Sequence, residues 1–189
     1  AISHYHWDHT FGAKAFEDVT IIGSEKLLKI LKQKKATDWI NLEQEIIYPN
    51  LLFKEKMVIH NDDLTIKFYH AGGHTEDSIY AYVPKEKVLF AGDLVFSKLF
   101  PWAGDNTCNP DQWINVFEEF LRLDFKYLVP GHGPLAGKEE IKMQLKNLEN
   151  VRKIVLDAIV DDITTNKIVL PEFYEPLSPA SITRTIDHF

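Results

Sequence analysis

The chain has 189 residues, 45% hydrophobic and 26% charged, the size and balance of one soluble domain with a proper core. A formal net charge of −7 makes DNA or RNA a poor default partner, and no apolar run is long enough to span a bilayer. The single cysteine, Cys108, excludes an intrachain disulfide and favours a reducing, cytoplasmic setting.

The chain opens almost at once on Ser3-His4-Tyr5-His6-Trp7-Asp8-His9. Residues 19–22 form a short β-branched run ending at Gly23. Ser24 then predicts the N-cap of a helix through Lys34, with Leu27, Leu28, Ile30 and Leu31 sharing much of one face. Residues 36–56 are less regular and predict an insertion with at most a short helix. Residues 57–60 and 64–69 predict a hairpin around Asn61-Asp62-Asp63. Gly73-His74-Thr75 precedes a second hairpin, 78–83 and 88–90, and Gly92-Asp93 follows it. Asn109 caps and Pro110 opens a helix to about Leu123, with Trp113, Phe117, Phe120 and Leu121 as its buried stripe. A strand over 126–129 runs into Pro130-Gly131-His132-Gly133. A long amphipathic helix spans 138 to about 162, and Ser178-Pro179 starts a last short one. With no repeat or linker, residues 1–189 read as a single domain.

Imidazole nitrogens and carboxylate oxygens suit zinc and its first-row neighbours. His4 and His6 stand two apart in an extended segment, so they point the same way and can share one ion. Asp8 and His9 lie beyond, where a turn can aim them at a neighbouring ion. Tyr5 and Trp7 alternate with these groups and are expected to face the other way, into the core. Gly72, Gly73, Gly131 and Gly133 allow the backbone to approach the ions closely. The hydroxyls of Thr75 and Ser78 read equally as supports for ligating groups or as turn caps. Phe96, Phe100, Trp102 and Trp39 read as a pocket wall or as core, and the loop 97–108 as the segment that chooses the substrate. His60, His70 and His188 lie outside the motifs and read as ordinary histidines.

H-x-H-x-D-H, then G-H-T, then Gly-Asp after a strand, then P-G-H-G, in that order over roughly residues 1–137, resemble the metallo-β-lactamase superfamily. The resemblance implies an α/β chain (α+β by some schemes) folded as an αβ/βα two-sheet sandwich, here N-terminally truncated, since relatives carry several strands before the first motif. It implies that His4, His6 and His74 hold one metal, that Asp8, His9 and His132 hold a second, and that Asp93 bridges both with a hydroxide. Zinc suits these donors best, with iron or manganese as alternatives. The expected reaction is hydrolysis of an ester, thioester, amide, lactam or similar bond in a small-molecule substrate. Asp8 and Asp93 are the residues expected to act on the hydroxide, and Cys108 is not needed as a ligand. The missing strands are expected to make the chain prone to dimerise.

Residues 73–78, 87–90 and 129–133 also resemble the zinc β-lactamases that place a cysteine on their second metal. Here Asp93 stands in the cysteine's place, His9 stands where that subclass has a non-ligand residue, and Phe96 stands where it has a substrate-gripping lysine, with Lys98 only nearby. Efficient lactamase activity is therefore not expected, although a true or promiscuous β-lactamase is one alternative. A non-catalytic metal-binding scaffold or fragment is the alternative from another class.

Overall fold

The computed structural model describes residues 1–16, 18–170 and 185–186. The helix expected from Ser178-Pro179, and His188, lie outside the described residues. Alternating apolar residues over 56–96 build four strands, β3 (Lys56–Asn61), β4 (Leu64–His70), β5 (Ile79–Val83) and β6 (Val88–Phe96), joined in sequence as antiparallel neighbours. The two expected hairpins are thus present. β7 (Tyr127–His132) adds to β6 in parallel and completes a five-stranded mixed sheet. A second sheet of two parallel strands, β1 (Ile22–Ser24) and β2 (Leu51–Phe53), stands apart from it. Phe53 and Ile22 of the small sheet pack with Phe68, Ile79 and their neighbours on the large one.

The helices form where their caps predicted. Ser24 Oγ accepts the Leu27 N–H at 3.0 Å at the head of α2 (Glu25–Ala36), and Asn109 Oδ1 accepts the Gln112 N–H at 2.9 Å at the head of α3 (Pro110–Arg122). α3 buries Trp113, Val116, Phe117 and Phe120, while Leu121 is only partly covered. This stripe, with Ile141 and Leu148 of α4 (Lys138–Val160), closes the main core over β5, β6 and β7. The Trp113 indole N–H donates to the Leu94 carbonyl at 2.9 Å, which pins α3 to β6.

Three expectations change. The β-branched run at 19–22 contributes only Ile22 to a strand, and Val19 is exposed; pairing with β2 starts at Ile22 opposite Leu51. The 36–56 segment holds no helix beyond the end of α2, within the expectation of at most a short one, but it supplies the strand β2, which the sequence reading did not expect. Asn50 explains this, because its side chain accepts the Ile21 N–H at 2.8 Å while its own N–H donates back to Ile21 at 2.9 Å. Finally, Asp93 does not follow a strand but lies inside β6, which continues to Phe96, and β7 runs past Val129 to His132. The β6–β7 ladder shifts register on both sides of Gly92, so the parallel partner carries the strand onward through an irregularity.

Candidate metal centre

The site forms where four segments meet. His4 and His6 lie on a stretch that bends at His4 and Tyr5 rather than running extended, and the single-turn helix α1 (Trp7–Thr10) follows at once. The Thr10 hydroxyl donates to the His6 carbonyl at 3.0 Å, as does the His9 N–H, so the turn swings Asp8 and His9 away from the direction of His4 and His6. His74 lies in the turn between β4 and β5, Asp93 in β6 and His132 at the end of β7. Side chains remote in sequence thereby converge into two groups, His4, His6, His74, Asp93 and Asp8, His9, Asp93, His132, with the ligand atoms of each group within 4.8 Å of one another. Asp93 belongs to both.

In the first group His6 Nδ1 is 2.8 Å from His4 Nε2 and 3.2 Å from His74 Nε2. Asp93 Oδ2 stands 3.7 Å from His4 Nε2 and 3.6 Å from His74 Nε2. In the second, His132 Nε2 lies 3.2 Å from Asp93 Oδ2 and 3.3 Å from Asp8 Oδ2. His9 Nε2 lies 3.4 Å from Asp8 Oδ2 and 3.0 Å from Asp93 Oδ1, yet neither member of that last pair is aligned for a hydrogen bond and both are buried without one. A cation between them would satisfy both atoms.

The outer ring nitrogens fit the same use. His74 Nδ1–H donates to the Trp102 carbonyl at 3.0 Å, which leaves the Nε2 lone pair facing inward. His6 Nε2 lies 3.1 Å from Asp105 Oδ2, which leaves Nδ1 as the inward donor. One hydroxyl, Ser3 Oγ, serves both groups, lying 3.1 Å from His4 Nδ1 and 3.3 Å from His9 Nδ1. Partners of this kind fix the tautomer and orientation of metal-binding imidazoles. Backbone shape contributes too. A Cβ on Gly131 would lie 1.9 Å from Asp93 Oδ1, so only glycine lets β7 pass the shared carboxylate.

Burial holds the His4 imidazole well below its ordinary pKa and that of His74 at about 4, so both are neutral, as metal ligands must be. Burial alone would raise the Asp93 pKa, but the imidazoles around it, His132 foremost, more than offset that and hold the carboxyl ionised. Asp93 in turn raises His132. Asp105 follows the same balance, with burial outweighed by donors from His6, Thr107 and Tyr5.

The other expected residues divide. Phe96 is buried and stacks on His132, and Trp102 packs edge-on against His6 with ring centroids 5.2 Å apart, so both border the site. Phe100 belongs to a separate core with Val151 and Val155, and Trp39 packs on Phe11. Thr75 and Ser78 bond to one another at 2.8 Å, and Thr75 donates to Asp77 at 2.8 Å, so they brace the turn around His74 rather than the ligands themselves. Cys108 is in neither donor group, and burial pushes its thiol up to about 12. His60 and His70 bond to Thr65 and to the Glu76 carbonyl. Trp7 departs from expectation: it is 66% exposed, because the chain already bends at His4 and Tyr5 and residue 7 begins a helix. Asp105 is the residue that sequence reasoning missed. Its loop, 97–108, was singled out, but nothing local distinguishes a carboxylate that reaches His6 across 99 positions.

Comparison with known proteins places the fold and the family. The family model described as the metallo-beta-lactamase superfamily matches residues 1–132. The acyl-coenzyme A thioesterase MBLAC2 of Gallus gallus is 24% identical over 162 residues, covering 74% of this chain and 57% of that protein. The metallo-beta-lactamase type 2 of Bacteroides fragilis is 26% identical over 105 residues, covering 53% of this chain and 42% of that one. The chain spans about half the length of the curated relatives it matches. Among solved structures, the sec-alkylsulfatase Pisa1 from Pseudomonas sp. superposes with a TM-score of 0.75 at 14% identity, over 98% of this chain and 40% of that one. The metallo-beta-lactamase from Pontibacter korlensis gives 0.63 at 23% identity, over 78% and 67%. The family match ends at His132, the last of the converging donors, so the matched stretch contains the whole cluster as well as the sheet that carries it, and the chain belongs to the metallo-beta-lactamase superfamily.

Proposed function

We propose that this chain forms a two-metal hydrolase centre for acyl compounds, with His4, His6 and His74 holding one ion, Asp8, His9 and His132 the other, and Asp93 shared. The observation that carries the reading is the sharing of one buried carboxylate by two donor groups. When bound, paired dications supply Lewis acidity and ionise water near neutral pH. The chain's own residues do the rest. Asp93 offers its carboxylate to both donor groups, Ser3, Trp102 and Asp105 orient the imidazoles, and Asp8, the most exposed of the donors, stands where it can accept a proton from an attacking water.

Thioesters are the substrate class to place first. Relatives that align with about three quarters of this chain are named as acyl-coenzyme A thioesterases. The lactamase alternative is weakened at Phe96, which is buried at 1% exposure and offers no cation for a drug carboxylate, while Lys98 is exposed in the following turn. No helix among the described residues is long and apolar enough to cross a membrane. Elemental analysis of zinc-loaded protein, followed by turnover of matched acyl thioester, ester and lactam substrates, tests the proposal. Two ions per chain and chelator-sensitive thioester cleavage are expected. Stoichiometric metal with no turnover of any of the three classes would leave a metal-binding scaffold instead.

A further inference from the structure

Tyr5 stands between two proposed ligands, where alternation predicts an ordinary core side chain. Its ring is half-buried and meets the His6 imidazole edge-on, with centroids 4.7 Å apart. Its hydroxyl, however, donates a short hydrogen bond to Asp105 Oδ2, the oxygen that also lies 3.1 Å from His6 Nε2. The other oxygen, Oδ1, accepts the Thr107 N–H at 2.8 Å and the Thr107 hydroxyl at 2.5 Å. We propose that Tyr5 is a positioning residue for the first metal centre, acting through Asp105 on His6.

Thr107 holds one end of the carboxylate, and Tyr5 fixes the rotation of the other end toward His6. Asp105 can only accept, so the imidazole must donate from Nε2 and keep the Nδ1 lone pair for the ion. The setting explains why a hydroxyl is needed. A cavity of about 450 Å³, bordered by Tyr5, His6, Trp102, Asp105 and Lys34, reaches this carboxylate from solvent. With the hydroxyl gone, water from that cavity would hydrate Oδ2 and let the carboxylate turn away from the ring. The Lys34 ammonium sits 5.3 Å from the Tyr5 ring centroid and helps keep the ring in place.

The inference rests on the proposed two-metal reading, and its test separates the two. Zinc and cobalt affinities are measured by chelator competition in a His132→Ala background, which weakens the second group and so reports the first, and in a His74→Ala background, which weakens the first and so reports the second. Tyr5→Phe removes the hydroxyl alone. It is expected to weaken first-centre binding by about 3- to 10-fold and to alter the visible spectrum of cobalt there, with second-centre affinity and metal-free melting unchanged. Asp105→Asn is expected to weaken the first centre by about 10- to 100-fold. Tyr5→Phe added to Asp105→Asn is expected to do nothing further. Unchanged first-centre affinity in Tyr5→Phe, an equal loss at both centres, or full additivity with Asp105→Asn would each overturn the inference while leaving the two-metal reading intact. No metal uptake by His4, His6 and His74 in the otherwise unaltered chain would overturn both.

Discussion

Phe96 lies flat against His132, their ring centroids 5.3 Å apart and their planes within 9° of parallel. The contact joins the last residue of β6 to the last of β7, which are also register partners. Phe96 therefore sets the plane of the one proposed ligand that comes from β7. Phe96→Leu keeps the apolar volume but removes the flat surface. It is expected to weaken metal binding at the second group by several-fold and at the first by less, because Phe96 meets the His74 ring only edge-on with centroids 5.6 Å apart, as chelator competition would show. Equal weakening of both would mean a general loosening of the core.

Asp93 and His74 test the centre itself. His74→Ala is expected to remove metal from the first group and abolish metal-dependent hydrolysis. Asp93→Ala is expected to reduce uptake at both groups, because its carboxylate belongs to each. Both variants should keep a native circular-dichroism spectrum. Undiminished turnover of either with saturating zinc would remove that residue from the proposed ligand set.

Gly131 offers a test that replaces no ligand. The methyl group of Gly131→Ala would meet Asp93 Oδ1 at 1.9 Å and the Asp93 backbone nitrogen at 2.8 Å. Either Asp93 or β7 must move, so zinc stoichiometry is expected to fall below two per chain. Full loading of this variant, measured by elemental analysis, would show that β7 can shift without disturbing the carboxylate.

Acid should act unequally on the two groups. Burial already keeps His4 and His74 neutral, with His74 near 4, whereas the hydrogen bond to Asp93 raises the His132 pKa above its ordinary value. A metal entering the second group competes with a proton held more firmly on His132, and one entering the first displaces none from His4 or His74. Affinity at the second group is thus expected to fall more steeply as pH is lowered from 7.5 to 5.5. Isothermal titration in two buffers of different ionisation heat would count the released protons.

Asp77 predicts a pH dependence of folding. Burial raises its carboxyl from 3.8 to about 7, Thr75 donates to one oxygen, and the other is buried without a hydrogen-bond partner. Between these two values the folded chain binds the proton and the unfolded chain releases it, so this group lowers stability as pH rises from about 4 to 7 and no further above that. The loss is on the order of a few kcal/mol. In metal-free protein, the stability difference between Asp77→Asn and the unaltered chain should move in the variant's favour across that window. A difference independent of pH in denaturant titrations would count against a neutral buried carboxyl.

Much of the fold was legible in short stretches of sequence. Ser24 and Asn109 announced their helices because capping is decided within three residues. The hairpins β3–β4 and β5–β6 were legible because alternation and turn residues act locally. The strand β2 was not, since Asn50 and Ile21 define it across 29 positions. The spacing of His4 and His6 suggested one shared ion, while the assignment of Asp93 to both groups came from family resemblance rather than from any local pattern.

What the sequence determined by itself is therefore the inventory: imidazoles and carboxylates in four ordered motifs, on strands and turns set by neighbouring residues. What only the tertiary structure decided is their meeting. The parallel pairing of β7 with β6 brings His132 against Phe96 and Asp93, and the loop after β6 brings Trp102 and Asp105 behind His74 and His6. Trp7 left the core and Tyr5 joined the site by the same route. Alternation predicts which way a side chain leaves its own backbone, but the surface it meets is built by residues far along the chain.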